Sequence, residues 1–163
     1  MVINIMVKKA IYSGTFDPIT KGHMDIITRA LKVFDEVVVA VAVSSNKNPM
    51  FSIEKRVQLV QKATQGMNVT VKPFDTLLVD FAAKENIYTV VRGLRAVSDF
   101  EFELQMGYAN SSLNKEVDTM YFMPKLNNAF VSSSVVREVL KFRGCVSHLV
   151  PSTISEDLKE CMS

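Results

Sequence analysis

Two hydrophobic periodicities alternate along this 163-residue chain. Short apolar runs, typical of buried strands, predict strands at Lys8 to Tyr12, Glu36 to Val43, Val69 to Lys72, Tyr88 to Val91 and Thr119 to Met123. Helical spacing of apolar residues predicts helices at Met24 to Phe34, after a Ser52 cap, at Leu77 to Glu85, Asp99 to Ser112, Ser134 to Phe142 and Ser152 to Cys161. Such alternation predicts an α/β fold with a doubly wound, five-stranded parallel sheet and helices on both faces. The pattern leaves the strand order open, and Gly144 is the predicted C′ stop of the fifth helix.

Length and composition predict one domain spanning residues 1–163, because 48% of the residues are hydrophobic and no linker or repeat interrupts them. Cys145 and Cys161 are too few for a disulfide framework and lack a zinc-ligand spacing, which favours a reducing cytoplasm. The net charge of +2 is spread along the chain, and the longest apolar run, Val37 to Val43, is far shorter than a membrane helix. We therefore expect a cytoplasmic protein without nucleic-acid or membrane partners.

Polar residues follow the first predicted strand, where parallel sheets bind ligands. The loop from Ser13 to His23 contains two glycines and ends at a helix start, so its backbone can approach an anion. Thr15 offers a hydroxyl, and His23 in the first helical turn can donate to a phosphate oxygen. The alternative is a tight turn with Thr20 as a cap and a surface histidine.

Three further strand-end loops carry groups that suit phosphate. Lys47 follows the second strand, although a lone lysine is more often a solvated charge. Arg92 and Arg95 flank a glycine after the fourth strand and suit phosphate oxygens, unless Glu101 and Glu103 pair with them instead.

The fifth loop ends in three consecutive serines, Ser132 to Ser134, at a predicted helix start, with Arg137 one turn later. These serines combine capping with anion binding, and capping alone is the competing interpretation.

Several motifs that would identify other enzymes are absent, including the GxxxxGK[ST] phosphate loop, GxGxxG, HExxH and GxSxG. The chain also has no cluster of Cys and His residues, so we expect any metal to be Mg²⁺ brought by phosphates. Four phosphate-compatible loops at one sheet edge predict a polyphosphate, or two phosphorylated ligands.

The order of these motifs carries a family resemblance. The GTFDP and TKGH segments at residues 14–23, followed by SSSVVRE at 132–138, resemble the cytidylyltransferase-like nucleotidyltransferases. RGLRAVSDFEFE at 92–103 and KNPMF at 47–51 resemble specifically the bacterial phosphopantetheine adenylyltransferases. The resemblance covers about residues 8–150, and residues 1–7 lie outside it. It departs at Ser13, where the family usually has proline, at Asn48, a common lysine, and at Phe102, a usual tyrosine.

The resemblance implies a Rossmann-like sheet and transfer of the adenylyl group of ATP to 4′-phosphopantetheine, giving dephospho-coenzyme A and pyrophosphate. It implies ATP contacts at Thr15, Phe16, His23, Gly93, Leu94, Arg95, Glu103, Asn128, Ala129, Phe130, Val131, Ser132, Ser133 and Ser134. It implies phosphopantetheine contacts at Thr15, Lys47, Leu78 and Arg92. It further implies a homohexamer, arranged as a dimer of trimers, with coenzyme A as a feedback inhibitor.

The implied reaction needs no general base, because the acceptor phosphate is itself a nucleophile at neutral pH. The expected catalytic residues are His23, Lys47, Arg92 and Thr15: His23 and Lys47 at the α-phosphoryl transition state, and Arg92 on the acceptor. Arg95 and the serines would hold the β and γ phosphates. Two alternatives stay open: a related enzyme using CTP or nicotinamide mononucleotide, and a nucleotide-sensing module without turnover.

Overall fold

The structure, a computed structural model, describes residues 7–43 and 48–160 and is an α/β protein. Its strands are β1 (Lys9–Gly14), β2 (Glu36–Ala42), β3 (Val69–Phe74), β4 (Thr89–Gly93) and β5 (Asp118–Phe122). Its helices are α1 (Lys21–Ala30), α2 (Ile53–Ala63), α3 (Leu78–Glu85), α4 (Val97–Leu113), α5 (Ser133–Lys141) and α6 (Ser155–Glu160). Short 3-10 helices cover Leu126–Asn128 and Ser152–Ile154. Each predicted strand and helix is therefore confirmed, with shifted ends.

The five strands form one parallel sheet in the order β3-β2-β1-β4-β5. The central strand is β1, where Ile11 aligns with Val38 of β2 on one side and Val90 of β4 on the other. The chain runs outward from β1 through β2 to β3 and then returns to place β4 beside β1. The crossover after β1 leads to β2 on one side of β1, and the crossover after β4 leads to β5 on the other side. Open α/β sheets bind ligands at such a switch point.

Alternate strand residues enter two separate cores, because successive side chains of a strand point to opposite faces. Tyr12 belongs to the larger core with side chains of α1, α2, α5 and α6. Ile11, its neighbour, belongs to the smaller core with Phe81 of α3. Helices cover both faces of the sheet, and the doubly wound, Rossmann-like prediction is confirmed.

Two helix ends differ from the predicted ones for local reasons. Helix α1 begins at Lys21, three residues before the predicted start, because Thr20 caps it. Helix α5 ends in a Schellman motif whose left-handed residue is Arg143, with φ of 56°, and the N–H of Gly144 bonds to the carbonyl of Val139. The assignment of Gly144 as the C′ residue was wrong by one position.

Helix α4 lies against β5 and α3 and exposes several large apolar side chains. Phe102, Tyr108 and Leu113 are at least 60% exposed. No helix in residues 7–43 and 48–160 combines the length and apolarity needed to cross a bilayer.

Candidate active site

A cleft of about 430 Å³ opens at the carboxyl edge of the sheet, at the switch point between β1 and β4. Polar groups from β1, β4, their following loops and the start of α5 line it. The lining residues are Tyr12, Ser13, Gly14, Thr15, Phe16, Asp17, Gly22, His23, Ile26, Asn48, Pro49, Arg92, Gly93, Arg95, Glu103, Pro124, Val131, Ser132, Ser133, Ser134 and Arg137. Its size suits a nucleotide-sized ligand.

Most residues that the sequence singles out lie in this cleft. The lining includes Thr15, Phe16, His23, Arg92, Gly93, Arg95, Glu103 and Val131 to Ser134. The lining does not include Leu78, at the start of α3. It also does not include four residues that are close in sequence to lining residues: Leu94, Asn128, Ala129 and Phe130. Lys47 falls outside the described residues. The ligand contacts assigned to these side chains stay predictions.

The loop after β1 holds Phe16 in a strained conformation at the cleft wall. Phe16 has a φ of 48°, a left-handed backbone that a bulky residue rarely adopts, yet its side chain is only 2% exposed. Its ring packs edge-on against Tyr12 and His23, with centroids 5.3 and 5.0 Å away. Gly14 leaves room for this ring, because a Cβ there would lie 3.1 Å from the Phe16 ring, closer than ordinary van der Waals contact. Packing therefore holds a turn that the local chain disfavours.

His23 has a defined hydrogen-bond pattern, because it forms a capping box with Thr20. The backbone N–H of Thr20 donates to His23 Nδ1 at 3.1 Å, and the His23 N–H donates to Thr20 Oγ1. Since Nδ1 accepts, this pattern assigns the ring proton to Nε2. Burial, together with the nearby Arg95 and Arg92 charges, lowers the pKa of His23 to about 3. His23 is thus a neutral N–H donor at the cleft.

Arg92 is held rigidly at the end of β4. Its Nε and Nη2 donate to the two Glu103 carboxylate oxygens at 2.7 and 2.6 Å. Its Nη1 donates to the Ser13 carbonyl at 2.6 Å and to the Ser13 hydroxyl at 3.3 Å. The predicted alternative, arginines paired with the following helix, therefore describes Arg92, and Arg95 pairs similarly with Asp99 at 3.1 Å. Glu103 lies on α4, so this pairing joins α4 to the floor of the cleft.

The three serines at the start of α5 have different partners. The Ser132 hydroxyl accepts from the N–H of Val135, which makes Ser132 the N-cap. The Ser133 hydroxyl donates to the Pro18 carbonyl at 2.8 Å and so links α5 to the β1 loop. Ser134 accepts from Arg137 and is exposed. Capping thus accounts for Ser132 alone among the three serines. The first turn of α5 faces the cleft, as at an anion-binding helix start.

Among the lining residues that were not predicted site residues, Asp17 and Arg137 are the two that carry charge. The buried Asp17 carboxylate accepts from the backbone N–H groups of Met50 and Phe51 at 2.8 and 2.9 Å. Arg137 donates to the Asp17 carbonyl at 2.7 Å and lies 3.7 Å from its carboxylate. Both residues stand in the motifs singled out above, but their partners are distant in sequence, so spacing alone did not reveal them.

The cleft offers little to a metal ion by itself. Within residues 7–43 and 48–160, no group of three or more His, Cys, Asp or Glu side chains could hold a metal. The carboxylates of Asp17 and Glu103 are engaged by backbone amides and by Arg92. Mg²⁺ requires carboxylate or phosphate oxygens, so the described side chains do not form a magnesium cage.

The sequence of the chain matches a known family. The cytidylyltransferase-like family model matches residues 11–139. A phosphopantetheine adenylyltransferase of Nautilia profundicola is 60% identical over 154 residues, which cover 94% of this chain and 100% of the relative. Another, of Helicobacter hepaticus, is 57% identical over 148 residues, with 90% of each chain covered.

Solved structures share the fold at lower identity. A protein of Vibrio parahaemolyticus assigned as a nicotinate-nucleotide adenylyltransferase has a TM-score of 0.72 at 24% identity, covering 96% of this chain and 95% of that one. A bifunctional NMN adenylyltransferase/ADP ribose pyrophosphatase of Francisella tularensis has a TM-score of 0.73 at 18% identity, over 96% of this chain and 49% of that one. The chain therefore belongs to the cytidylyltransferase-like family and, within it, to the phosphopantetheine adenylyltransferases.

Proposed function

We propose that this cleft transfers the adenylyl group of ATP to 4′-phosphopantetheine by direct in-line displacement. An oxygen of the acceptor phosphate forms a bond to the α-phosphorus, the bond from that phosphorus to the β-phosphate bridge oxygen breaks, and the electron pair leaves with pyrophosphate. The products are dephospho-coenzyme A and pyrophosphate. The named relatives, 55–60% identical over most of the chain, support this reaction.

One observation carries the mechanism: the cleft presents hydrogen-bond donors, while its carboxylates are engaged. His23 is neutral with its proton on Nε2, and the Asp17 and Glu103 carboxylates are committed to protein donors. A site that needed a general base would keep a free acceptor near the reacting atoms. Donors alone suit a reaction whose nucleophile is already an anion and whose transition state spreads charge over phosphate oxygens.

The nucleotide half of the cleft is assigned to the loop after β1 and the start of α5. His23 Nε2–H and the Phe16 backbone would contact the α-phosphate, while Arg95 and the first turn of α5 would hold the leaving β and γ phosphates. Glu103 and residues 128–131 complete the ATP contacts implied by the family, together with Gly93 and Leu94.

The acceptor half is assigned to Thr15, Lys47, Leu78 and Arg92. Arg92 keeps one Nη2 hydrogen beyond its bonds to Glu103, and that hydrogen is directed by a rigid guanidinium. Lys47 is proposed to share the charge of the transition state with His23. Leu78 begins α3 after β3, at the same edge of the sheet as the cleft.

Mg²⁺ is proposed to arrive with ATP rather than on protein ligands. When bound, it neutralises charge on the phosphates. The described residues supply no cage for it, so no step above depends on a protein-held metal.

Three further properties are proposed for the enzyme: its assembly, its regulation and its location. A homohexamer, a dimer of trimers, would cover apolar side chains of α4 such as Phe102 and Tyr108, which are 60% and 70% exposed. Coenzyme A is proposed as a feedback inhibitor, because it contains an adenine nucleotide and a phosphopantetheine arm and so resembles both substrates. We place the enzyme in the cytoplasm on the cysteine usage of the sequence.

Pyrophosphate release by the purified protein tests the function. The reactions contain Mg²⁺ and ATP with and without 4′-phosphopantetheine, and parallel reactions replace ATP with CTP or the acceptor with nicotinamide mononucleotide. We expect release only when ATP and phosphopantetheine are both present. Release with another pair would identify a related nucleotidyltransferase instead, and ATP binding without any release would identify a sensing module.

A further inference from the structure

Arg56 is the largest side chain that the described fold buries completely, with 1% of its surface exposed. It lies in the second turn of α2, outside the lining of the cleft. Charged side chains are almost never fully buried without partners, because removing a charge from water is costly. The partners of Arg56 therefore indicate why the fold keeps it.

Those partners are three backbone carbonyls from three different segments. Arg56 Nη1 donates to the Thr15 carbonyl at 2.7 Å and to the Ala42 carbonyl at 2.8 Å. Its Nε donates to the Phe51 carbonyl at 3.1 Å. Only a planar guanidinium reaches several acceptors in fixed directions; an ammonium at the same place is a single point charge.

The three carbonyls frame the working parts of the cleft. Thr15 precedes the strained Phe16 in the loop assigned to the nucleotide. Ala42 is the last residue of β2, and Phe51 precedes the cap of α2, so the two carbonyls bracket the connection that contains Lys47 in the sequence. Asp17 holds the same connection from the other loop through the N–H groups of Met50 and Phe51. Phe51 is thus bonded at its N–H by Asp17 and at its carbonyl by Arg56.

The bond to Thr15 also orients the next amide. In a planar trans peptide the N–H of one residue points opposite to the carbonyl of the preceding residue. Holding the Thr15 carbonyl on Arg56 therefore turns the Phe16 N–H away from α2. Phe16 has a backbone conformation that would relax without such restraints.

We propose that Arg56 is a positioning residue that sets the distance between the nucleotide loop and residues 48–51, of which Asn48 and Pro49 line the cleft. This inference rests on the proposed function, since it places the reacting substrates between those two segments. In-line attack depends on alignment, and a displacement of about 1 Å costs on the order of 10²-fold in rate. Arg56 would act through the backbone and touch neither substrate.

The test compares Arg56→Lys and Arg56→Met with the wild-type protein and with a control on the same helix. Lys62→Met is the control, because it also removes a cation from α2, but one whose side chain is 47% exposed and paired with Asp157. Steady-state pyrophosphate release gives kcat and both KM values, and circular dichroism gives the folded fraction at the assay temperature. We expect kcat of Arg56→Lys to fall roughly 10-fold and that of Arg56→Met roughly 100-fold per folded molecule, with the KM for ATP within about threefold.

Each outcome then has one interpretation. A kcat loss that disappears after correction for the folded fraction would give Arg56 a structural role only and overturn the inference. Folded Arg56 variants with kcat within twofold of both the wild type and Lys62→Met would also overturn it. If Arg56→Met does not fold, the Lys variant decides. A wild-type protein that releases no pyrophosphate would overturn the proposed function itself, a result distinct from an active wild type with equally active variants.

Discussion

Substitutions of His23 separate the roles of its two nitrogen atoms, because asparagine keeps only an acceptor in place of Nδ1, whereas alanine keeps neither group. In His23→Asn the amide oxygen takes the place of Nδ1, so it still accepts the Thr20 N–H that the wild type holds at 3.1 Å. It loses the Nε2–H donor. In His23→Gln the amide nitrogen takes the place of Nε2 and keeps the donor, and the amide oxygen can still accept the Thr20 N–H, as glutamine does at this position of a capping box.

The expected losses of kcat and of folding stability follow from the group that each variant removes. Removing one donor aimed at a developing oxyanion costs about 10²- to 10³-fold in kcat, or about 2.7–4 kcal/mol. Losing a helix cap costs about 0.5–2 kcal/mol of folding free energy. We therefore expect His23→Asn to keep its stability and lose about 10²- to 10³-fold in kcat. His23→Gln should keep kcat within about tenfold and unfold near the wild-type urea concentration, because it keeps both a donor and a cap acceptor.

Steady-state pyrophosphate release and urea unfolding at 25 °C measure both effects. His23→Ala, which lacks both groups, is the matched control and should show both losses. A His23→Asn enzyme with kcat within tenfold of the wild type would refute the donor role of Nε2. Equal unfolding midpoints for His23→Ala and the wild type would refute the capping role of Nδ1.

The low pKa of His23 adds a test by pH. The acceptor phosphate itself titrates near pH 6, so the ratio of wild-type to His23→Gln kcat isolates the imidazole. We expect that ratio to stay flat from pH 8 to pH 5.5, because burial and Arg95 and Arg92 hold the imidazole neutral in the fold. A break in the ratio near pH 6.5 would contradict this. In unfolding experiments the unfolded chain binds the proton first, so stability is complete above about pH 6.5 and falls below it, by at most about 1.4 kcal/mol per pH unit for this group.

Three other substitutions test the frame of the cleft. Gly22→Ala should lower the free energy of unfolding by about 1–3 kcal/mol, because its Cβ would lie 2.8 Å from the Val131 carbonyl; an unchanged urea midpoint would contradict this. Glu103→Gln should cost about 1–3 kcal/mol in the same assay, because Arg92 stays half-buried without its carboxylate, and a neutral result would show that the pair is dispensable. Ser132→Ala should cost about 1 kcal/mol in thermal unfolding as α5 loses its N-cap, and an unchanged melting temperature would show that the hydroxyl is not needed there.

The strands and helices were predictable because the hydrophobic periodicity of each element reflects which of its own residues are buried. β2 is apolar at every position from Val37 to Val41, and these residues are buried on both faces of the sheet. Strand order depends instead on which strand each crossover reaches, and no local pattern encodes that choice. Helix α4 shows the limit of periodicity, since its apolar residues surround the helix and several stay exposed.

The cleft was predictable where the chemistry sits at strand ends. The switch point brings together Thr15, His23, Arg92 and Ser132, which are distant in sequence. The state of these groups was not predictable: the pairing of Arg92 with Glu103 was one of two open alternatives, and the proton position on His23 depends on a backbone N–H. The burial of Arg56 was not predicted, because a charged residue between Ile53 and Val57 in a helical pattern ordinarily has a solvated side chain.

The hydrogen bonds of the cleft form a consistent argument about the chemistry. Glu103 pairs with Arg92, Asp17 accepts two amides beside Arg137, and His23 is uncharged, so the described lining carries oriented donors and each of its two carboxylates has protein partners. Each of these groups is fixed by a partner before any substrate arrives, and preorganised donors need no rearrangement in the transition state. A phosphate acceptor brings its own charge and its own nucleophilic oxygen. The protein then has to supply alignment, and a buried arginine that ties the two segments together at a set distance serves that requirement better than a base would.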